Sequence, residues 1–127
     1  MIDVLLSIRP NWCKKILTGE KSVELRKSHP RIEGEFRVYL YETKSGRGMI
    51  VGECICWFIE KAEQRSYSPV MLEGSCLTFD QISDYAKNKP VYGWYLAKVT
   101  EYKTPRPLSA LGLQRAPQSW CYVKEAA

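Results

Sequence analysis

Histidine is almost absent from this sequence, with His29 alone among 127 residues. His29 lies in a segment that also contains Pro30 and Gly34 and is predicted to be a loop, so no Ser-His-Asp arrangement is indicated. The sequence also lacks a glycine-rich phosphate loop and paired carboxylates at a defined spacing. These absences remove the commonest hydrolase and nucleotide-binding signatures without excluding catalysis as such.

The chain also lacks any C-x-x-C pair, although it contains five cysteines, Cys13, Cys54, Cys56, Cys76 and Cys121. A zinc site would need further ligands that one histidine cannot supply, so we expect no metal and no cofactor. Residues two apart on a strand share a face and are poorly placed to bridge each other, so Cys54 and Cys56 are predicted to be buried free thiols. This pattern favours a reducing, cytoplasmic location.

Long apolar runs are missing too, and no segment approaches the length of a membrane span. The opening residues 1–6 are apolar but have no basic leader, so we expect neither a signal peptide nor a membrane partner. A length of 127 residues suits one domain, and we expect residues 1–127 to form it.

Positive charge, by contrast, is in excess. Nineteen Lys and Arg residues stand against fourteen Asp and Glu, which gives a formal charge of +5. A basic surface gains free energy from counterion release at phosphates, so this balance favours a polyanionic partner, RNA or DNA.

Hydrophobic periodicity predicts several strands with two or three short helices between them. Strands are predicted at residues 2–8, 22–26, 36–43, 49–60, 92–100 and 120–123. Helices are predicted at residues 11–17 and 78–86, with a shorter helical piece ending near Gly112, and residues 61–74 are predicted to be irregular. No repeat or long linker interrupts this order, which indicates an α+β fold in which a small twisted sheet closes into a barrel.

The segment "TGEKSVELRK" concentrates charge on one predicted strand. Alternation sends Ser22, Glu24 and Arg26 to one face and Val23 and Leu25 to the other, which places a carboxylate beside a guanidinium on the polar face. A solvated strand face with ordinary ion pairs would give the same pattern.

Four stretches of the chain together resemble the ASCH domain, a branch of the PUA-like superfamily. They are "LSIRPNWCKKILTGEKSVELRK", "GEC", "YGWYLAKVTEY" and "RAPQSWCYV". The family motif G-x-K-x-x-E-x-R is matched by Gly19, Lys21, Glu24 and Arg26. The resemblance implies a PUA-like small β-barrel of about six strands with two or three short helices beside a basic cleft. It also implies RNA binding, in RNA metabolism or in the regulation of translation or transcription.

A binding role for the motif follows from its chemistry. Lys21 and Arg26 are predicted to bind a phosphate, while Glu24 orients these cations or reads a base amino group. Arg9, before a proline, and Arg47, between two glycines, are predicted to extend the nucleic-acid-binding surface.

Aromatic residues supply a further way to hold RNA, because unpaired bases are commonly read by stacking. Most of the aromatic side chains must lie in the core, since each buries a large area. Trp94 or Tyr41 is predicted to stand at the rim of the cleft.

A hydrolase is the alternative function. One branch similar to this family hydrolyses N4-acetylcytidine with a Lys and a Thr of the same motif, together with a Glu. Here Lys21 is retained but Glu24 stands where that branch has its Thr, and Ser22 is a nearby hydroxyl. A ribonuclease would use Lys21 and Arg26 as oxyanion stabilisers and Glu24 as the base.

Overall fold

Six strands form one curled sheet in the computed structural model of the chain, which describes residues 2–63 and 65–124. The strands are β1 (Asp3–Ile8), β2 (Val23–Arg26), β3 (Phe36–Glu42), β4 (Met49–Ala62), β5 (Val91–Arg106) and β6 (Trp120–Val123). The helices are α1 (Pro10–Leu17), α2 (Pro69–Ser75) and α3 (Phe79–Ala86), followed by a 3₁₀ turn at Leu108–Leu111. The predicted α+β class with a small barrel-like sheet is confirmed.

The strands lie in the order β2-β5-β4-β3-β1-β6. β1 pairs with β3 in parallel, and every other neighbouring pair in this order is antiparallel. The parallel pair is made possible by α1 and β2, which carry the chain away between β1 and β3. The two outer strands of the sheet are therefore β2 and β6.

Local chemistry explains the two helices that the sequence predicts. Pro10 occupies the first turn of α1, and Gly19 follows its end at φ +84°, a backbone region that favours glycine. Thr78 caps α3 in a capping box, where its hydroxyl accepts from the Gln81 N–H and the Gln81 side chain accepts from the Thr78 N–H.

Two elements differ from the prediction. Helix α2 lies inside the segment predicted to be irregular, because seven residues that include Pro69 and Gly74 are too few to show a helical period. Strand β5 continues past the predicted end at residue 100 to Arg106, and so includes Pro105. The strand tolerates this proline because the register of β4 against β5 shifts near Ile50, the partner of Arg106.

The main core fills the concave side of the sheet beneath α1, where Leu6, Phe36, Leu40 and Trp94 pack together. A second cluster lies beneath α2 and α3. Gly93 lies at a close approach between β5 and α2, since a Cβ there would lie 2.9 Å from the Met71 side chain.

Three cysteines, Cys13, Cys54 and Cys56, are buried, and we call them the buried thiols. All five cysteines are free. Within the described residues, no group of three or more potential ligands among His, Cys, Asp and Glu is placed to hold a metal ion. Nor does any helix of the described chain have the length and apolarity needed to cross a membrane.

The opposite ends of the curled sheet are joined through a side chain. Arg26 on the outer strand β2 donates to the Ser7 carbonyl of β1 at 2.8 Å and to the Ser119 carbonyl just before β6 at 3.1 Å. The guanidinium thus ties the two ends together, at a seam where β2 has no backbone pairing with β1 or β6 among the described residues.

Candidate functional site

The charged side chains of the motif form one ion-pair network at this seam. Glu24 Oε2 accepts from Arg26 Nη2 at 2.7 Å, and Lys21 Nζ lies 3.4 Å from Glu24 Oε1. Lys21 and Glu24 are only 2% and 7% exposed. A carboxylate between two cations makes their burial tolerable, because buried charges are retained only when they are paired and hydrogen-bonded.

Lys21 is held from three sides. Its ammonium donates to the Ser75 carbonyl at the end of α2, faces Glu24, and lies 4.8 Å from the centroid of the Trp12 ring. Burial lowers the pKa of Lys21 below its ordinary value, and the nearby Glu24 carboxylate opposes this shift only in part. The amine is therefore easier to deprotonate than a solvent-exposed lysine.

Arg26 makes five hydrogen bonds, as many as a guanidinium has N–H donors. Nε and Nη2 donate to Glu24, a second Nη2 contact goes to Ser7, and Nη1 donates to both the carbonyl and the hydroxyl of Ser119 at 3.1 Å. The phosphate contact predicted for Arg26 would require it to release one of these partners.

An open cleft of about 610 Å³ lies over this network, and we call it the motif cleft. Its floor is Lys21, Glu24 and Arg26, and its walls come from α1, α3 and the segment before β6, which contribute Trp12, Tyr85 and Ser119. The volume is within the range of pockets that hold small molecules, and it would accommodate a nucleoside. The three motif residues, Lys21, Glu24 and Arg26, therefore line one concave site.

The motif cleft has more positive than negative charge. Among its described lining residues, three are cationic, Arg9, Lys21 and Arg26, and the only carboxylate is Glu24. Arg9 is exposed, and its side chain makes no hydrogen bond or ion pair with the described residues. Arg9 is therefore the cation of the cleft with donors available to a ligand.

Two other polar candidates lie outside this cleft. Arg47 is ion-paired to Glu42 at 2.7 Å and lines a separate groove along the other side of α1. Ser22 precedes β2 rather than belonging to it, is exposed, and is not among the residues that line the motif cleft. The predicted alternation that placed Ser22 beside Glu24 does not hold, because the strand begins one residue later, at Val23.

The two aromatic residues predicted for the rim are core residues. Trp94 is fully buried, packs edge-on against Phe36, and donates its indole N–H to the Ser28 carbonyl at 3.2 Å. Tyr41 is 1% exposed. Strand alternation indicated that one face of each strand is buried but did not indicate which face, so the rim placement is corrected here.

The aromatic rings at the cleft are Trp12 and Tyr85 instead. Tyr85 lies on α3 at helical spacing from the buried Ile82, a pattern that the sequence cannot distinguish from core packing. Ser119 is also part of the site, and the only signal for it in the sequence was its place in the family-like segment "RAPQSWCYV".

The fold and the cleft together define a class: a small α+β protein with a curled six-stranded sheet and a charged, partly cationic cleft at its seam. A family model for the ASCH domain matches residues 6–106, so the chain belongs to the ASCH domain family, as its motif indicates. The predicted family is thereby confirmed. A comparison with curated protein sequences gives no match.

Solved structures share this fold. An ASCH protein from Zymomonas mobilis is similar with a TM-score of 0.82 and 21% identity, over 97% of this chain and 88% of that one. A Ser-to-Ala variant of that protein gives a TM-score of 0.83 and 20% identity, over 97% and 89% of the two chains. The N-terminal domain of Staphylothermus marinus McrB is more distant, with a TM-score of 0.51 and 11% identity over 85% of this chain and 77% of that one.

Proposed function

We propose that this protein binds single-stranded RNA and that the motif cleft receives one unpaired nucleotide. The observation that carries the proposal is the cleft itself, which combines an excess of cationic side chains with two aromatic rings, Trp12 and Tyr85. Unpaired bases stack on aromatic side chains, and cations in the same cavity attract the phosphates that accompany them.

The proposal divides the charges into two roles. Arg9 at the rim contacts a phosphate directly, because its donors are available. Lys21 and Arg26 stay bound to Glu24, shape the floor, and add positive potential without releasing their partners. Glu24 and nearby amides such as Gln81 and Gln118 are the groups that would read base edges.

The test is an anisotropy titration of a labelled ten-nucleotide single-stranded RNA at several salt concentrations. We expect Arg9→Ala to weaken binding several-fold and to reduce the slope of log affinity against log salt by about 0.7, as for one lost phosphate contact on a single strand. Lys14→Ala is the matched control, since Lys14 is exposed on α1 but lines a different groove. Equal effects of the two variants, or binding independent of salt, would contradict this use of the cleft.

A hydrolase acting on RNA or on a modified nucleoside such as N4-acetylcytidine is the second candidate. The observation that favours it is the lowered pKa of Lys21 beside Glu24 inside a cleft, since perturbed pKa values concentrate at catalytic sites. In the structure, the candidate hydroxyl is that of Ser119 rather than that of Ser22. Ser119 lines the cleft and its Oγ accepts from Arg26 Nη1 at 3.1 Å, whereas Ser22 lies outside.

Ser119→Ala separates the two candidates, because it removes the hydroxyl but keeps the carbonyl that Arg26 also binds. In the hydrolase, this variant should form no product from short RNAs or N4-acetylcytidine while still binding RNA. The binding module predicts no turnover by the wild-type chain on the same panel and little change in affinity in the variant.

A further inference from the structure

Two large aromatic side chains, Trp57 and Phe58, stand side by side on the surface of β4. They are 54% and 51% exposed, although neighbouring residues of a regular strand point to opposite faces. The register of β4 against β5 shifts between Cys56 and Phe58, so Trp57 is the extra residue of a bulge. A bulge redirects side chains locally, which explains how both rings reach the same exposed patch.

The pair is rigid as well as exposed. The two ring centroids lie 6.1 Å apart with an interplanar angle of 29°, a stacked arrangement. Tyr95 supports both rings edge-on at 5.4 and 5.6 Å, and its hydroxyl donates to Glu60. Flat aromatic faces that are already ordered can stack a planar ligand with little loss of conformational entropy.

These rings form one wall of a groove of about 520 Å³ whose other wall is the loop at residues 29–34. The loop is anchored before any ligand binds. Ser28 accepts from the indole N–H groups of Trp94 and Trp120, and the Arg31 N–H donates to the Tyr122 hydroxyl at 2.8 Å. The groove is therefore a preformed feature, with His29 and Arg31 as donors on the loop side.

The same loop connects this groove to the motif cleft. It leaves the cleft at Arg26, passes Lys27, whose ammonium lies 4.8 Å from the ring of Tyr85, and reaches the groove at His29. Three residues of extended chain span at most about 11 Å, so the two cavities are neighbours along a path that carries Lys27 and ends at the groove that Arg31 lines.

We propose that Trp57 and Phe58 form a second stacking site, which takes an unpaired base of the same RNA strand that enters the motif cleft. This inference rests on the proposed RNA binding. It makes the ligand a single strand of several nucleotides rather than a free nucleoside. Lys27 lies between the two cavities and Arg31 lines the groove, and together they outnumber Glu33, the carboxylate among the described residues of that groove. This balance favours RNA, whose phosphates would pass Lys27, over a peptide as the occupant.

The test uses the ten-nucleotide RNA described above. We expect Trp57→Ala to weaken binding about tenfold, the order of one lost base–aromatic stack, and to leave the salt slope unchanged because no phosphate contact is removed. Trp57→Phe retains a ring and should stay within about threefold of the wild type. Val70→Ala, which shortens another exposed apolar side chain, is the matched control and should have no effect. Thermal unfolding of each variant checks that the fold is intact.

The outcomes separate this inference from the function on which it rests. Salt-dependent binding that Arg9→Ala weakens but Trp57→Ala does not would overturn the second site alone. Absence of RNA binding by the wild type would overturn both proposals. A change of oligomeric state in Trp57→Ala by analytical ultracentrifugation, with unchanged RNA affinity, would show that the patch binds protein instead.

Discussion

Removing the Arg26 side chain should lower the stability of the fold itself, whether or not a ligand is present. Arg26→Ala deletes five hydrogen bonds, separates the outer strand β2 from Ser7 and Ser119 across the seam, and leaves the Glu24 carboxylate with Lys21 alone. From the sequence, Arg26 is instead predicted to be a phosphate ligand, and loss of such a ligand would leave the fold intact.

The expected cost follows from the burial of this network. The Arg26 and Glu24 side chains are only 12% and 10% exposed, and breaking a buried ion pair by removing one partner costs about 3–5 kcal/mol. We take about 3 kcal/mol, the low end, because Lys21 at 3.4 Å still neutralises part of the Glu24 charge. For a domain of this size that loss lowers the melting temperature by roughly 10 °C.

The assay is urea denaturation of the wild type, Arg26→Ala and Arg9→Ala. Arg9 lines the same cleft but is exposed, so its removal should change the unfolding free energy by less than about 0.5 kcal/mol. In a double-mutant cycle, adding Glu24→Gln to Arg26→Ala should cost less than Glu24→Gln costs alone, since the two side chains interact directly. If Arg26→Ala kept wild-type stability but lost RNA affinity, the structural role would be refuted and Arg26 would be a phosphate-binding residue, as the sequence predicts.

Three further predictions concern the rest of the fold. Stability should fall above about pH 9, because burial raises the pKa of Cys13 from 9.0 to about 12, so the unfolded chain releases this proton first. The loss is on the order of 1 kcal/mol at pH 10, and the urea midpoints of Cys13→Ala should depend less steeply on pH. In native protein at pH 8, a thiol reagent should label the partly exposed Cys76 and leave the buried thiols unmodified until urea is added, and equally rapid labelling of all the thiols would contradict their burial. Gly52→Ala should cost about 1–3 kcal/mol by thermal unfolding, because a Cβ there would lie 2.5 Å from the Thr100 carbonyl oxygen, and an unchanged melting temperature would show that β4 and β5 are not packed this closely.

The elements that could be predicted from sequence are those with a strong local signal. Helix α1 begins at Pro10 and is followed by Gly19, and α3 begins at the Thr78–Gln81 capping box. These helices therefore depend on contacts between residues that are close in sequence. Helix α2 has only a cap at Ser68 and two residues, Pro69 and Gly74, that obscure its pattern. Its position depends on packing against β2, which no local pattern records.

The site was predictable in part for a similar reason. Lys21, Glu24 and Arg26 are within six residues of one another, so their meeting needs only one turn and one short strand. Whether their donors are available to a ligand was not predictable. Arg26 is engaged by Ser7 and Ser119, which are distant from it in sequence and adjoin it only when the sheet curls. Which aromatic rings line the cleft depends on the same curling.

The mixed charge of the motif has a physical explanation in this arrangement. Two cations at the floor of a cleft would repel each other and lose hydration, and Glu24 offsets both effects by lying between them. The same carboxylate cancels one of the two positive charges, so the floor alone attracts an anion only weakly. A basic residue with available donors is therefore required at the rim, and Arg9 occupies that position. In the proposed RNA-binding function, the motif shapes the cleft, while Arg9 in the cleft and Trp57 in the adjoining groove, both outside the motif, would set the affinity for RNA.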